Sequence, residues 1–214
     1  MIVDVWADVV CPWCFIGKRR LERALKDFPH RNEITVRHRA FQLDPNASQT
    51  LPTKELLATK YNASPEQVAQ MQANVCAVAD GEGLCYQLDQ TLSGNTFDAH
   101  RLLLWAATIG KQDELLEALF SAYFEKSLPV FSHADLVSVA VGVGIDADVA
   151  DDLLRSDKFA EEVIADRNLA AQLGATGVPF FVLDMKYGIS GAQPLEAFTA
   201  SLEQALQDYQ AQLR

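Results

Sequence analysis

The spacing of apolar residues along the chain changes period several times. The chain opens on "MIVDVW", a short apolar run rich in β-branched residues, and the turn signal "DVVCP" follows at once, which predicts a strand. From Pro12 onward the apolar positions are Phe15, Ile16, Leu21, Ala24, Leu25 and Phe28, a helical spacing. Pro12 suits the first turn of that helix, where a missing N–H costs nothing, and the helix is expected to stop before Pro29. In "EITVRHRAFQL" the period falls to two: Ile34, Val36, His38 and Ala40 alternate with Thr35, Arg37 and Arg39, and "DPN" at 44–46 closes the run. The first 45 residues therefore read β-α-β.

From about Leu51 to Gly174 only helical signals occur. Ser64-Pro65-Glu66-Gln67 reads as a capping box with proline at the first helical position, and Ser132-His133-Ala134-Asp135 resembles another. "ELLEALFSAYFEK" puts Leu115, Leu116, Leu119, Phe120, Tyr123 and Phe124 on one stripe. "NTFDAHRLLLWAATIG" predicts a helix from Asn95 or Thr96 to Gly110, and another should run from near Lys158 to Leu173 and end at Gly174. Five to seven helices in succession are expected. Strand character returns in "VPFFVLDMKYGISG", at Phe180–Leu183 and Tyr187–Ser190 around a turn at 184–186. A last helix from near Pro194 carries Leu195, Phe198, Leu202, Ala205 and Leu206. The order is βαβ, a helical block, then ββα. Each flanking piece is too small to fold alone, so the two should join in one sheet, giving an α/β domain from residues 1–45 and 175–214 with a helical domain, 46–174, inserted. No internal repeat, low-complexity tract or flexible linker interrupts this pattern.

Composition narrows the function classes. At 214 residues and 49% hydrophobic the chain has ample material for a core. Its net charge of -11 sets it against nucleic acid, whose backbone would repel it. The one basic cluster, Lys18-Arg19-Arg20, reads as a solvated helix face. No apolar run is long enough to span a bilayer, and the N-terminus lacks the basic and apolar regions of a secretion signal, so a soluble, cytoplasmic protein with no membrane partner is expected. In a reducing compartment four cysteines are too few for a disulfide framework, which leaves catalytic, metal-bound or inert thiols.

Cys11 and Cys14 carry the candidate chemistry. A Cys-x-x-Cys at the junction of a strand and a helix, inside a β-α-β unit, is the context of a thioredoxin-like redox centre. Cys11 would meet the unpaired N–H groups of the helix start, a setting that favours thiolate over thiol. Cys14, one turn on, lies on the same face and could resolve a mixed disulfide at Cys11. Pro12 and Trp13 shape the loop between them. Other readings stand beside this one: two buried apolar cysteines, a structural disulfide of a secreted chain, or half of a zinc site completed by Cys76 and Cys85. The missing signal sequence opposes the disulfide reading. Zinc modules pair closely spaced couples, whereas eight residues separate Cys76 from Cys85, so no metal is expected. Cys76 and Cys85 read as small buried hydrophobes, although a fold-back past Gly81 and Gly83 could bring them close.

At "DVVCPWCFIGKRRLE", "NTFDAHRLLLW" and "GATGVPFFVLDMKYGISGAQPLEAF", in this order, the chain resembles the FrnE-type branch of the DsbA-like thioredoxin superfamily over nearly its whole length. That resemblance implies a thioredoxin fold interrupted by an all-helical domain. It also implies a cis bond at Val178-Pro179, with the pair facing the dithiol as a substrate-docking edge. "NTFDAHRL" is a marker segment by the same resemblance, and its Asn95 and His100 are candidates for the opposite wall of the cleft; as plain sequence they are a helix cap and a structural histidine. Asp8 and Lys18, either side of the dithiol, read more simply as solvated charges. The implied activity is thiol–disulfide exchange, with a protein or small-molecule thiol as partner and no metal or organic cofactor, glutathione being a candidate co-substrate. The alternative is a glutathione-dependent isomerase or transferase like 2-hydroxychromene-2-carboxylate isomerase or the kappa-class transferases. Those relatives typically use a serine where this chain keeps both cysteines.

Overall fold

The computed structural model describes residues 1–212. Its main sheet has four strands in the order β2-β1-β5-β6: β1 (Ile2–Ala7), β2 (Thr35–Ala40), β5 (Phe180–Leu183) and β6 (Tyr187–Ser190). β1 runs parallel to β2, pairing Ile2 with Thr35 through Ala7 with Ala40, and antiparallel to β5, pairing Val3 with Leu183 and Trp6 with Phe180. β1 and β5 are distant in sequence yet share the centre of one sheet, as joining the two flanking pieces requires.

The period-two pattern sorts residues between the two faces of this sheet. Val3, Val5, Phe181 and Leu183 pack with Leu21, Leu25, Phe198 and Leu202 under α1 (Pro12–Lys26) and α9 (Leu195–Gln212). Trp6, Phe180 and Val182 face the other way, towards Ala170 of α8 (Ala160–Gln172). The Trp6 indole N–H donates to the Asp166 carbonyl at 2.8 Å, which ties α8 to the centre of the sheet.

Between β2 and β5 the described residues form α2 (Thr53–Tyr61), α3 (Pro65–Gly81), α4 (Phe97–Thr108), α5 (Gln112–Phe120), α6 (His133–Gly142), α7 (Ala147–Arg155) and α8. Both capping boxes form with reciprocal bonds, at Ser64/Gln67 and at Ser132/Asp135. All six residues of the stripe from Leu115 to Phe124 are buried, and α5 passes into a π-turn at Ser121–Glu125 that keeps Tyr123 and Phe124 inward. One non-helical feature was not readable: β3 (Leu51–Pro52) pairs antiparallel with β4 (Leu92–Ser93). Two residues carry no period, so such a ladder leaves no trace in the hydrophobic pattern.

α1 joins the two cores. Leu21, Ala24 and Leu25 of its second half, with Phe28 just past its end, pack on the sheet, whereas Cys11, Cys14, Phe15 and Ile16 at its start belong to the core of the helical block with Leu84, Leu102, Phe120 and Phe124. The dithiol therefore lies on the seam between sheet and helices.

Candidate active site

Cys11 is the residue immediately before α1, with extended backbone (φ −90°, ψ 111°), and Pro12 occupies the first helical turn. A tight corner delivers it: the Cys11 N–H donates to the Asp8 carbonyl at 3.0 Å, and the Cys14 N–H to the Cys11 carbonyl at 2.9 Å. No acidic residue stands in the first turn of α1, so nothing on the helix itself competes for its positive end. Cys11 and Cys14 are both buried free thiols, Pro12 is half-buried, and Trp13 is exposed beside them. Burial pushes the Cys14 thiol well above the ordinary cysteine range, and its hydrogen bond to Cys11 pushes the same way, while the Asp8 backbone opposes the shift with a hydrogen bond.

The strand end opposite closes on this pair. The Cys11 thiol donates to the Val178 carbonyl at 3.4 Å, and the Val178-Pro179 peptide bond is cis. Gly17 makes the approach possible: a Cβ there would lie 3.1 Å from both Pro179 Cγ and Phe181 Cζ, tighter than ordinary contact, so only glycine lets α1 rest against Pro179 without displacement.

The helical block contributes the remaining wall. Tyr86, just beyond α3, donates its hydroxyl to the Pro12 carbonyl at 2.7 Å and stacks on Phe15. Burial raises its pKa strongly, and the two cysteines add to the rise, so the hydroxyl stays protonated and keeps donating. His100, on α4, places Nε2 3.3 Å from Asp8 Oδ1, and the other carboxylate oxygen of Asp8 accepts the Leu43 N–H at 2.7 Å. His100 thus meets the corner three residues before Cys11. Asn95 does not meet it. Its side chain accepts from Gln42 and the Phe97 N–H and donates to the carbonyls of Pro45 and Ala47, so it stitches the start of α4 to the loop after β2.

Two readings of charge are corrected. Asp8 is 1% exposed and Lys18 5%, so neither is a solvated group. Lys18 lies between Glu22 on its own helix and Asp113 and Glu117 of α5, Arg19 binds Glu22 and Glu117, and Arg20 binds Glu82 at 2.7 Å. Burial works against the Lys18 charge, but Glu22, Asp113 and Glu117 outweigh it and raise its pKa. The basic cluster is therefore a clamp between α1 and the helical block. Cys85 is also exposed rather than buried, while Cys76 is half-buried with its sulfur 3.9 Å from the Tyr86 carbonyl. Local sequence carried no signal for Tyr86, whose role depends on where α3 ends in space; the contact of Gly17 with Pro179 likewise joins segments far apart in the chain and leaves no local trace.

Among the described residues no three His, Cys, Asp or Glu side chains gather as a metal site, and no helix is long and apolar enough to cross a membrane. A groove of about 710 Å³ runs between α1, β2 and the α4–α5 corner, bordered by Lys18, Arg37, His38 and Asp113; neither cysteine lines it.

Comparison with known proteins agrees with this arrangement. A probable DsbA oxidoreductase from Streptomyces coelicolor, SCO1869, is 46% identical and superimposes with a TM-score of 0.93 over 97% of this chain and 90% of that one. At 16% identity, where likeness speaks for fold alone, 2-hydroxychromene-2-carboxylate isomerase matches over 100% of both chains with a TM-score of 0.74. The cytosolic disulfide reductase DsbM from Pseudomonas aeruginosa, solved with GSH, is also 16% identical and matches over 97% of this chain and 100% of that one with a TM-score of 0.66. The model of the DSBA-like thioredoxin domain matches residues 2–203, and the chain belongs to that family.

Proposed function

We propose that the protein is a thiol–disulfide oxidoreductase in which Cys11 is the nucleophile, Cys14 the resolving thiol and Val178-Pro179 the edge against which substrate docks. One observation carries the reading: two thiols one helical turn apart differ in setting, Cys11 at the N–H end of α1 against the Val178 carbonyl, Cys14 inside the helix with its pKa raised by burial. A Cys11 thiolate attacks a substrate disulfide, one substrate sulfur leaves as thiolate, and a mixed disulfide forms. Cys14 then loses its proton and attacks the Cys11 sulfur; the Cys11–Cys14 bond forms and the second substrate thiolate departs, so two electrons pass to the substrate. The reverse sequence oxidises a dithiol. Likeness of fold to a cytosolic reductase favours a cytoplasmic setting and reduction or isomerisation over net oxidation. Substrates are protein or small-molecule disulfides, with glutathione as the candidate recycling thiol, and the exchange needs no metal.

The glutathione-dependent isomerase reading keeps the fold likeness to 2-hydroxychromene-2-carboxylate isomerase, but here two cysteines stand at the start of α1. The test separates the readings. Cys14→Ser incubated with glutathione disulfide should accumulate one glutathione on Cys11, detected by intact mass, and wild type should pass on to an internal disulfide. A Cys11 that forms neither species sinks the oxidoreductase reading; isomerase activity retained in Cys11→Ser would establish the other.

A further inference from the structure

His38 of β2 and His100 of α4 line one small cavity on the seam between sheet and helices, together with Ala7, Arg39, Gln112 and Leu116. The cavity measures about 10 Å³, close to the smallest space that holds one water molecule. His38 is 8% exposed; its Nε2 lies 3.0 Å from Asp113 Oδ1, and its Nδ1, fully buried, has no hydrogen-bond partner. A carboxylate accepts an N–H, so the neutral ring carries its proton at Nε2 and keeps a lone pair at Nδ1, which calls for a donor. His100, on the far side, bonds the Asp8 carboxylate at the corner whose carbonyl holds the Cys11 N–H. Asp113, at the other end, is 68% exposed.

We propose that this cavity is a water site and that the row Asp113, His38, water, His100, Asp8 passes protons between solvent and the buried corner beneath the dithiol. The inference rests on the oxidoreductase reading and supplies what its second step needs. When Cys14 attacks the mixed disulfide, its S–H bond breaks, the Cys11–Cys14 bond forms, and the electron pair of the Cys11–substrate bond leaves on the substrate sulfur. The Cys14 proton leaves by the Asp8 corner, whose carbonyl holds the Cys11 N–H, and travels outward along the row; the reverse reaction draws a proton inward. His38 holds Asp113 through Nε2 and leaves Nδ1 free, and His100, which holds Asp8 through Nε2, lines the same cavity. An imidazole can take a proton at one nitrogen and release one at the other, the property that suits histidine to such transfer. Other charges are already engaged. Lys18 of α1 faces Asp113 at 3.3 Å, Arg39 of β2 binds Asp4 and Asp166, Gln112 of α5 pairs with the His38 backbone, and Arg101 of α4 binds Asp98 and the carbonyls of Leu153 and Leu154. His38 and His100 act through Asp8 and are positioning residues.

Two measurements test the proposal. In wild type, NMR should detect cross-relaxation between a long-lived water and the His38 ring protons; none would overturn the water site. The second uses protein with Cys76→Ser and Cys85→Ser, mixed with a chromogenic aromatic disulfide that releases one coloured thiol when Cys11 is loaded and a second when Cys14 resolves. His38→Gln keeps a group for Asp113 but removes Nδ1. It should leave the first release within about twofold, slow the second about tenfold or more, and alter the pH profile of that step. A second release with wild-type rate and pH profile overturns the relay. Parent protein that yields no second release at all contradicts the oxidoreductase reading instead.

Discussion

The two cysteine pairs of this chain are equal in composition and opposite in placement. Cys11 and Cys14 straddle the first turn of a helix, buried, on a corner braced by the Asp8 carbonyl and facing the Val178 carbonyl. Cys76 lies near the last turns of α3 and Cys85 past its end, in the stretch where carbonyl groups rather than N–H groups are unpaired, and Cys85 is open to solvent. Exposure alone would nominate Cys85 as the reactive thiol. The comparison teaches that helix polarity and a built wall, rather than access, distinguish the pair for which we propose the redox role.

Substitution of each pair gives the largest expected contrast. Cys11→Ser should lower disulfide exchange by roughly 10³-fold or more, as removal of a nucleophile does, whereas Cys76→Ser and Cys85→Ser together should leave turnover within about twofold. Turnover with a small disulfide and a reducing partner measures both. Comparable losses in the two variants would make the four cysteines one relay and end the distinction.

Part of this arrangement was legible from the chain alone. Strand period in "MIVDVW" and "EITVRHRAFQL", the helical stripe after Pro12 and the two capping boxes are local patterns, set by backbone geometry within a few residues. The Cys-x-x-Cys is equally local. Charge was misread because burial is decided by distant segments: Asp8 meets His100 across 92 residues and Lys18 meets Glu117 across 99. An isolated Asp or Lys looks the same in sequence whether a helix later covers it or not. Asn95 shows the opposite case, a residue singled out for the cleft whose four hydrogen bonds pin the start of α4 to the loop after β2.

The wall opposite Cys11 can be disturbed without touching sulfur. Gly17→Ala gains about 1 kcal/mol of helix propensity but drives a methyl to 3.1 Å from Pro179 Cγ and Phe181 Cζ. Overpacking of this kind costs roughly 1–3 kcal/mol, so a net loss of about 1 kcal/mol in stability is expected, read by denaturant midpoint. Exchange at Cys11 should slow as well, because Pro179 or the start of α1 must shift. A variant as stable and as active as wild type would mean that α1 and Pro179 need not lie this close.

The smallest effect concerns the clamp that holds the dithiol helix to the helical block, and it has a definite sign. The hydrogen bond to His38 is the main cause that brings Asp113 down to about 2, with Lys18 adding to it against the cost of burial. An unfolded Asp titrates near 4, so the depressed group stabilises the fold above about pH 4, and this contribution fades as pH falls through the folded value of about 2. Wild type should therefore be more stable than Asp113→Asn at neutral pH, with the difference shrinking between about pH 4 and pH 2. Because the Asp113 side chain is 68% exposed, solvent screens the pair and the difference should be small, and smaller still in high salt. Denaturant unfolding of both proteins across that range checks the sign, and a gap that widened towards acid would show that Asp113 adds nothing as a charged partner of His38 and Lys18.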